Sequence, residues 1–235
     1  METVNKKDKL HTIAIAVLLL FAFGGLFLMG DYGIAGDSQT YILMGVNREP
    51  LYPLVLWVLR KLFGEETFYA QLAFLQNLFA YFSVLCLSGY IGKRIFRNHL
   101  GQWGSALILT MPYLLTPLFS RSHLVMTNKI MAEGITLPGY YFFVLFLMKI
   151  IFEEERFLKN TLYAMLISGL LVLARGQLML TILILAIVLG VRLIHRKQYK
   201  KWYLPVVVVL VLFVTTVFLT KVYHYCKSGV FTETA

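Results

Sequence analysis

Apolar residues run along this chain in long blocks, separated by short polar stretches rather than alternating with them. By run length and flanking charge the blocks fall at 12–29, 67–91, 102–119, 136–152, 160–174, 177–191 and 203–222. A helix rises about 1.5 Å per residue and a bilayer core is about 30 Å thick, so roughly 20 residues make a crossing, and these blocks approach that length. The pattern predicts an all-α, polytopic integral membrane protein with about seven transmembrane helices. The fifth and sixth spans are closely coupled through Arg175-Gly176-Gln177. No linker, internal repeat or low-complexity segment marks off a separate soluble domain, so residues 1–235 read as one transmembrane module.

The 37 residues from Gly30 to Glu66 do not make a clean span. Leu51 to Phe63 is apolar but short, reaching only about 20 Å as a helix, and Arg60 and Lys61 end it. It predicts an interfacial helix, with Pro50 and Pro53 at its start where missing N–H groups cost little. Asp37 to Met44 predicts a second short helix, with Asp37 or Ser38 as its N-cap.

Composition supports the membrane reading. The chain is 59% hydrophobic and 14% charged, whereas soluble domains carry about a quarter charged residues. The net charge of +10 does not point to nucleic acid, because the basic residues lie in short clusters between apolar runs. That distribution sets topology instead. The denser set of loops carries Lys6, Lys7 and Lys9, then Lys93, Arg94 and Arg97, then Arg156 and Lys159, then Arg192, Arg196, Lys197, Lys200 and Lys201. Assigning these to the cytoplasm puts the N-terminus inside and the C-terminus outside. The block at 12–29 is too long for the hydrophobic part of a signal peptide, so it reads as an uncleaved first span. Compactness and short loops favour a bacterial inner membrane.

With that orientation Asp37, Arg48, Arg121, His123, Lys129, Glu133 and Arg175 all fall at the outer face. Each has a plain structural role available. Asp37 suits an N-cap, Arg48 a snorkelling contact to headgroups, and Tyr41 and Tyr52 an aromatic belt. Arg121, His123 and Lys129 fit a solvated loop, and Glu133 a helix cap. Asp31 and Glu49 are the other acids of the first outer loop and rank below Asp37, Asp31 as a solvated residue directly after the first span. Arg175 is the only charge between Leu162 and Val191. A guanidinium at that depth is expensive and is usually functional or paired, although a tight turn at Gly176 also accounts for it. Cys86 sits in an apolar run and Cys226 in the polar tail, toward opposite faces, which argues against a disulfide. No Cys/His cluster has metal-ligand spacing, leaving a divalent cation open. Walker A, GxSxG, HExxH and Rossmann signatures are missing.

Cations facing an outer cavity beside one carboxylate suit an anionic, lipid-linked substrate. A polyprenyl phosphate leaving from a sugar needs cations rather than a general acid, while the acceptor needs one base. An arginine 4 Å from a phosphate contributes about 4 kcal/mol at an effective dielectric near 20. One base fits inverting glycosyl transfer, whereas hydrolysis usually takes two carboxylates.

The residues that carry this chemistry resemble a known family. Gly36-Asp37-Ser38-Gln39-Thr40-Tyr41 after a first span, then Arg48-Glu49-Pro50-Leu51-Tyr52-Pro53-Leu54 leading into an amphipathic helix, resemble the GT-C glycosyltransferases. The most similar branch includes the aminoarabinose transferase of lipid A and the protein O-mannosyltransferases. Met131-Ala132-Glu133-Gly134 looks like that branch's acidic position before a transmembrane helix, and Ala174-Arg175-Gly176-Gln177 like its arginine between paired helices. The resemblance implies a seven-span module with two interfacial helices in the first outer loop. It also implies transfer from a polyprenyl-phosphate sugar to an unspecified acceptor at the outer face. By matching position Asp37 is the catalytic base, Arg48 holds phosphate or sugar, and Arg175 contacts phosphate. Two departures stand out: Ser38 follows Asp37 where the family often has a second carboxylate, and family members are usually longer. The second departure raises an alternative, a truncated, inactive relative that binds lipid phosphate or a partner. A transporter fits poorly, because the polar residues gather at one face and no repeat is visible.

Overall fold

Lipid offers a backbone no hydrogen-bond partners, so an apolar block that enters it must satisfy its N–H and C=O groups internally. Every block here does so by forming a helix. The computed structural model describes residues 6–34, 38–45, 48–119, 125–197 and 203–228. Among these the helices are α1 (Lys6–Leu28), α2 (Ser38–Ile42), α3 (Leu51–Ile91), α4 (His99–Phe119), α5 (Glu133–Phe152), α6 (Phe157–Ala174), α7 (Leu180–His195) and α8 (Tyr203–Ser228). A π-helical turn covers Gly92–Phe96, and 3-10 turns cover Met126–Asn128 and Gly176–Met179. Among the described residues six stretches are long and apolar enough to cross a membrane: Lys9–Leu28, Leu51–Phe96, Glu133–Phe152, Phe157–Ala174, Gly176–His195 and Tyr203–Lys227. The protein is an all-α, polytopic membrane protein.

The third predicted span becomes α4 at the expected place, but α4 is not one of the six. Its Gln102, Ser105 and Thr110 are buried. The Ser105 hydroxyl donates to the Gly101 carbonyl at 2.8 Å and the Thr110 hydroxyl to the Ala106 carbonyl at 2.7 Å. The helix therefore hides polarity against protein and its own backbone, which a hydropathy pattern cannot anticipate. Two smaller expectations also shift. Ser38 lies inside α2 rather than capping it, and Cys226 sits on the last turn of α8 rather than in a tail. Both cysteines are free.

The predicted break in the first outer loop falls at Gly64. Its backbone (φ 78°, ψ 167°) interrupts α3, a conformation essentially reserved for glycine. Arg60 pairs with Glu65 across this break, and its guanidinium lies 5.7 Å from the Phe68 ring centre. On the stretch before the break, Tyr52, Leu56 and Leu59 form a buried stripe at helical spacing, while Leu54, Trp57 and Val58 are exposed.

The chain divides into two compact units, Met1–Ser38 with Leu59–Phe142 and Gln39–Val58 with Phe143–Ala235. In the first unit α1 packs on α4 and on the turn at Met126–Asn128. Ile15, Leu19, Phe23 and Leu26 form the buried stripe of α1, while Val17, Leu18, Leu20 and Phe21 are exposed. In the second unit α6, α7 and α8 pack on one another. Phe143, Leu147 and Ile150 of α5 join their core with Leu171, Leu185, Leu189 and Leu212. The opposite face of α7 is equally apolar, with Leu183, Ile187, Val191 and Ile194 exposed. A helix apolar on both faces sits between protein on one side and lipid on the other.

Candidate functional site

In the second unit the short helix α2 and the loop after it build a seat for Arg48. The chain turns back through hydrogen bonds from the Gly45 N–H to the Thr40 carbonyl (2.8 Å) and from the Arg48 N–H to the Gly45 carbonyl (3.0 Å). Arg48 Nε then donates to Thr40 Oγ1 at 2.8 Å and Nη1 to the Tyr41 hydroxyl at 3.4 Å. The guanidinium carbon lies 4.5 Å from the Tyr41 ring centre, a cation–π contact. Tyr41 in turn meets Tyr52 edge to face, with centroids 5.1 Å apart. Both tyrosines are buried, Tyr52 completely. Tyr41 packs against the guanidinium and Tyr52 against Tyr41.

Glu49, beside Arg48, is half-buried, and its Oε2 accepts a hydrogen bond from Thr220 Oγ1 of α8 at 3.3 Å. Burial pushes its carboxyl above the usual carboxylate range, an effect that the Thr220 hydroxyl partly offsets. Its other oxygen lies against Gly176, where an added Cβ would approach Oε1 to 2.5 Å. An added Cβ there would have to displace the end of the Glu49 side chain.

Arg175 ends α6 in an extended conformation (φ −158°, ψ 110°), and its N–H bonds to the Leu171 carbonyl at 2.9 Å. Its Nε donates to Gln177 Oε1 at 3.2 Å. The arginine therefore occupies the tight turn into α7, and that turn packs against the Glu49 carboxylate. Within this unit the fold brings Glu49, the neighbour of Arg48, against the turn at Gly176 that follows Arg175, well over a hundred positions away.

In the first unit Lys129 is buried, and its Nζ pairs with Asp31 Oδ1 at 2.8 Å. Asp31, with φ 54°, follows α1 in left-handed geometry, so both groups of this pair secure the end of the first span. Glu133 opens α5, where a carboxylate complements the helix dipole. Asp37, Arg121 and His123 lie outside the described residues. No group of three His, Cys, Asp or Glu among the described residues is placed to hold a metal ion.

Sequence reasoning missed the hub of this unit. Asn128 Nδ2 donates to the carbonyls of Leu26 (2.7 Å) and Gly30 (2.9 Å), capping the end of α1. Its Oδ1 accepts from Asn77 Nδ2 at 2.9 Å, and Asn77 Oδ1 accepts from Thr127 Oγ1 at 2.8 Å. The Ser38 hydroxyl donates to the Ile130 carbonyl at 2.7 Å, and the Ile130 N–H to the Gly33 carbonyl at 3.0 Å. One signal for this was in the sequence: Gln76-Asn77 is a polar pair inside an apolar block, and buried amides need partners. Glu49 and Thr220 are 171 positions apart, and no local pattern pairs them. Comparison with protein-family models, curated proteins and solved structures finds no match.

Proposed function

We propose that this chain is a membrane glycosyltransferase that moves a sugar from a polyprenyl-phosphate donor to an acceptor at the outer face, with inversion. The observation that carries the reading is the convergence of Arg48, Glu49 and the Arg175 turn in the second unit. An arginine seated on Thr40 and Tyr41, and a second in a turn that packs on the Glu49 carboxylate, supply cations suited to a phosphate leaving group. In the reaction, the acceptor oxygen or nitrogen attacks the anomeric carbon and its proton passes to the Asp37 carboxylate. The bond from that carbon to the phosphate oxygen breaks, and polyprenyl phosphate leaves with the electron pair. Arg48 and Arg175 hold its charge, while Glu49 stays against the turn that carries Arg175. The orientation is N-terminus inside, as the Lys and Arg distribution favours, in a bacterial inner membrane, as the compact chain and short loops favour.

The test is release of polyprenyl phosphate from polyprenyl-phosphate sugars in membranes containing the full chain, followed by mass spectrometry. Wild type should release it and Asp37→Asn should not, because Asn keeps the size and capping oxygen but not the basicity. Normal release by Asp37→Asn at equal expression would remove Asp37 as the base. Binding of polyprenyl phosphate without any release by wild type would favour the non-catalytic lipid-phosphate binder instead.

A further inference from the structure

At one end of the second unit, the loop between α5 and α6 meets the last turns of α7 around a cavity of about 610 Å³. Its charged lining is four cations, Arg156, Lys159, Arg192 and Arg196, against two carboxylates, Glu154 and Glu155. We propose that this cavity binds the phosphate of an anionic membrane phospholipid. It lies away from Arg48, Glu49 and Arg175, at the opposite end of α6 and α7.

The charges are not all spent on one another. Arg196 pairs with Glu154, so Arg156, Lys159 and Arg192 share the rest of the lining with one further carboxylate, Glu155. Arg156 is exposed, and its side chain makes no ion pair or hydrogen bond among the described residues. Arg192 is held rigidly: Nη2 donates to the Glu153 carbonyl at 2.8 Å, and the guanidinium lies 4.5 Å from the Phe157 ring centre. Yet its Nη1 is buried without an acceptor. A buried donor left unfilled is costly, and a guanidinium fixed on one side with a donor to spare is suited to an anion. Cations near the end of α7 also complement that helix's dipole, but the dipole supplies no acceptor for Nη1 and does not explain a cavity.

The surroundings favour a lipid phosphate over a free one. Phe157 and Leu158 line the same cavity, and Leu158 is 65% exposed. The exposed apolar stripe of α7 runs through Ile187, Val191 and Ile194 to this end. Acyl chains lying along that stripe bring a headgroup to the depth of Arg192.

The experiment is native mass spectrometry of the full chain released from detergent with added phosphatidylglycerol or phosphatidylcholine. Wild type should retain one phosphatidylglycerol in preference to phosphatidylcholine. Arg156→Gln, at an exposed position, should weaken that retention about tenfold without affecting folding. Arg192→Lys should weaken it too, because the charge remains but the fork is lost. Lys93→Gln removes the same charge from the exposed turn at Gly92–Phe96, in the first unit, and should leave retention unchanged. Equal loss from Lys93→Gln and Arg156→Gln would reduce the effect to bulk basic attraction and overturn the proposal. Equal retention of the two lipids would overturn it as well. So would complete displacement of the lipid by millimolar inorganic phosphate, which would make this a site for the free anion.

Discussion

Glu49 carries the clearest pH-dependent consequence of the structure. Its carboxyl is pushed up by burial, so the folded protein favours the protonated form. The stability this group contributes is fully present below the ordinary carboxylate range and is lost as pH rises through its folded value. Glu49→Gln keeps an oxygen for Thr220 while removing the ionisation. Thermal melting in detergent should therefore show the variant more stable than wild type at pH 8 and nearly equal at pH 4. A constant difference across that range would mean that the carboxyl does not titrate differently on folding. Arg175 gives a second residue-scale prediction. Lys can occupy the turn and keep the charge, but it cannot offer two parallel donors to a phosphate. Arg175→Lys should weaken polyprenyl-phosphate binding about tenfold, or ~1.4 kcal/mol, with melting near normal. Equal affinity in a direct binding titration would return Arg175 to the role of a turn residue.

At the scale of elements, two joints decide how helices begin and end. Gly64 breaks α3 with a backbone that strains any L-residue, although nothing lies within 4 Å of an added Cβ. Gly64→Ala should cost about 1–3 kcal/mol through the backbone alone. Gly190→Ala, also in open space but within the helix α7, should be neutral or mildly stabilising. Matching melting temperatures for the two variants would remove the special role of Gly64. The other joint is Asn128, which caps α1 and takes up the Asn77 amide. Asn128→Ala removes three hydrogen bonds, two buried and one part-buried. At about 1 kcal/mol each it should destabilise by about 3 kcal/mol, measurable as a lower melting temperature. The hydrophobic pattern placed the breaks on either side of this region but not the side chains that hold them.

For the whole molecule, topology turns on α4. Its 21 residues reach about 31 Å at 1.5 Å per residue, long enough to cross, yet it is not among the six stretches apolar enough to do so. Leu43, just after α2, is exposed, whereas Ser38 is buried, so Leu43 is the better labelling position. Single cysteines at Leu43 and Lys197, with Cys86 and Cys226 replaced, should react from opposite sides of the membrane. Reaction from the same side would mean that α4 does not cross and that only the six apolar stretches span.

The sequence by itself determined what the solvent determines. An apolar block in lipid has no alternative to a helix, so the helices, the short stretch before Gly64 and the all-α class were legible from run length. The Lys and Arg clusters were legible as flanks, and Arg48 and Arg175 stood out because charge is rare beside so much apolar sequence. Tertiary structure alone decided which polar groups meet. Asn128 reaches α1 across 102 positions and Glu49 reaches Thr220 across 171, distances at which helical periodicity carries no information. It also decided that Lys129 is bound to Asp31, that Tyr41 and Tyr52 support Arg48, and that Gln102 of α4 is covered by protein. The reason is physical: the bilayer imposes the helix on each segment separately, whereas a buried polar side chain takes its partner from whichever segment packing brings within hydrogen-bonding reach.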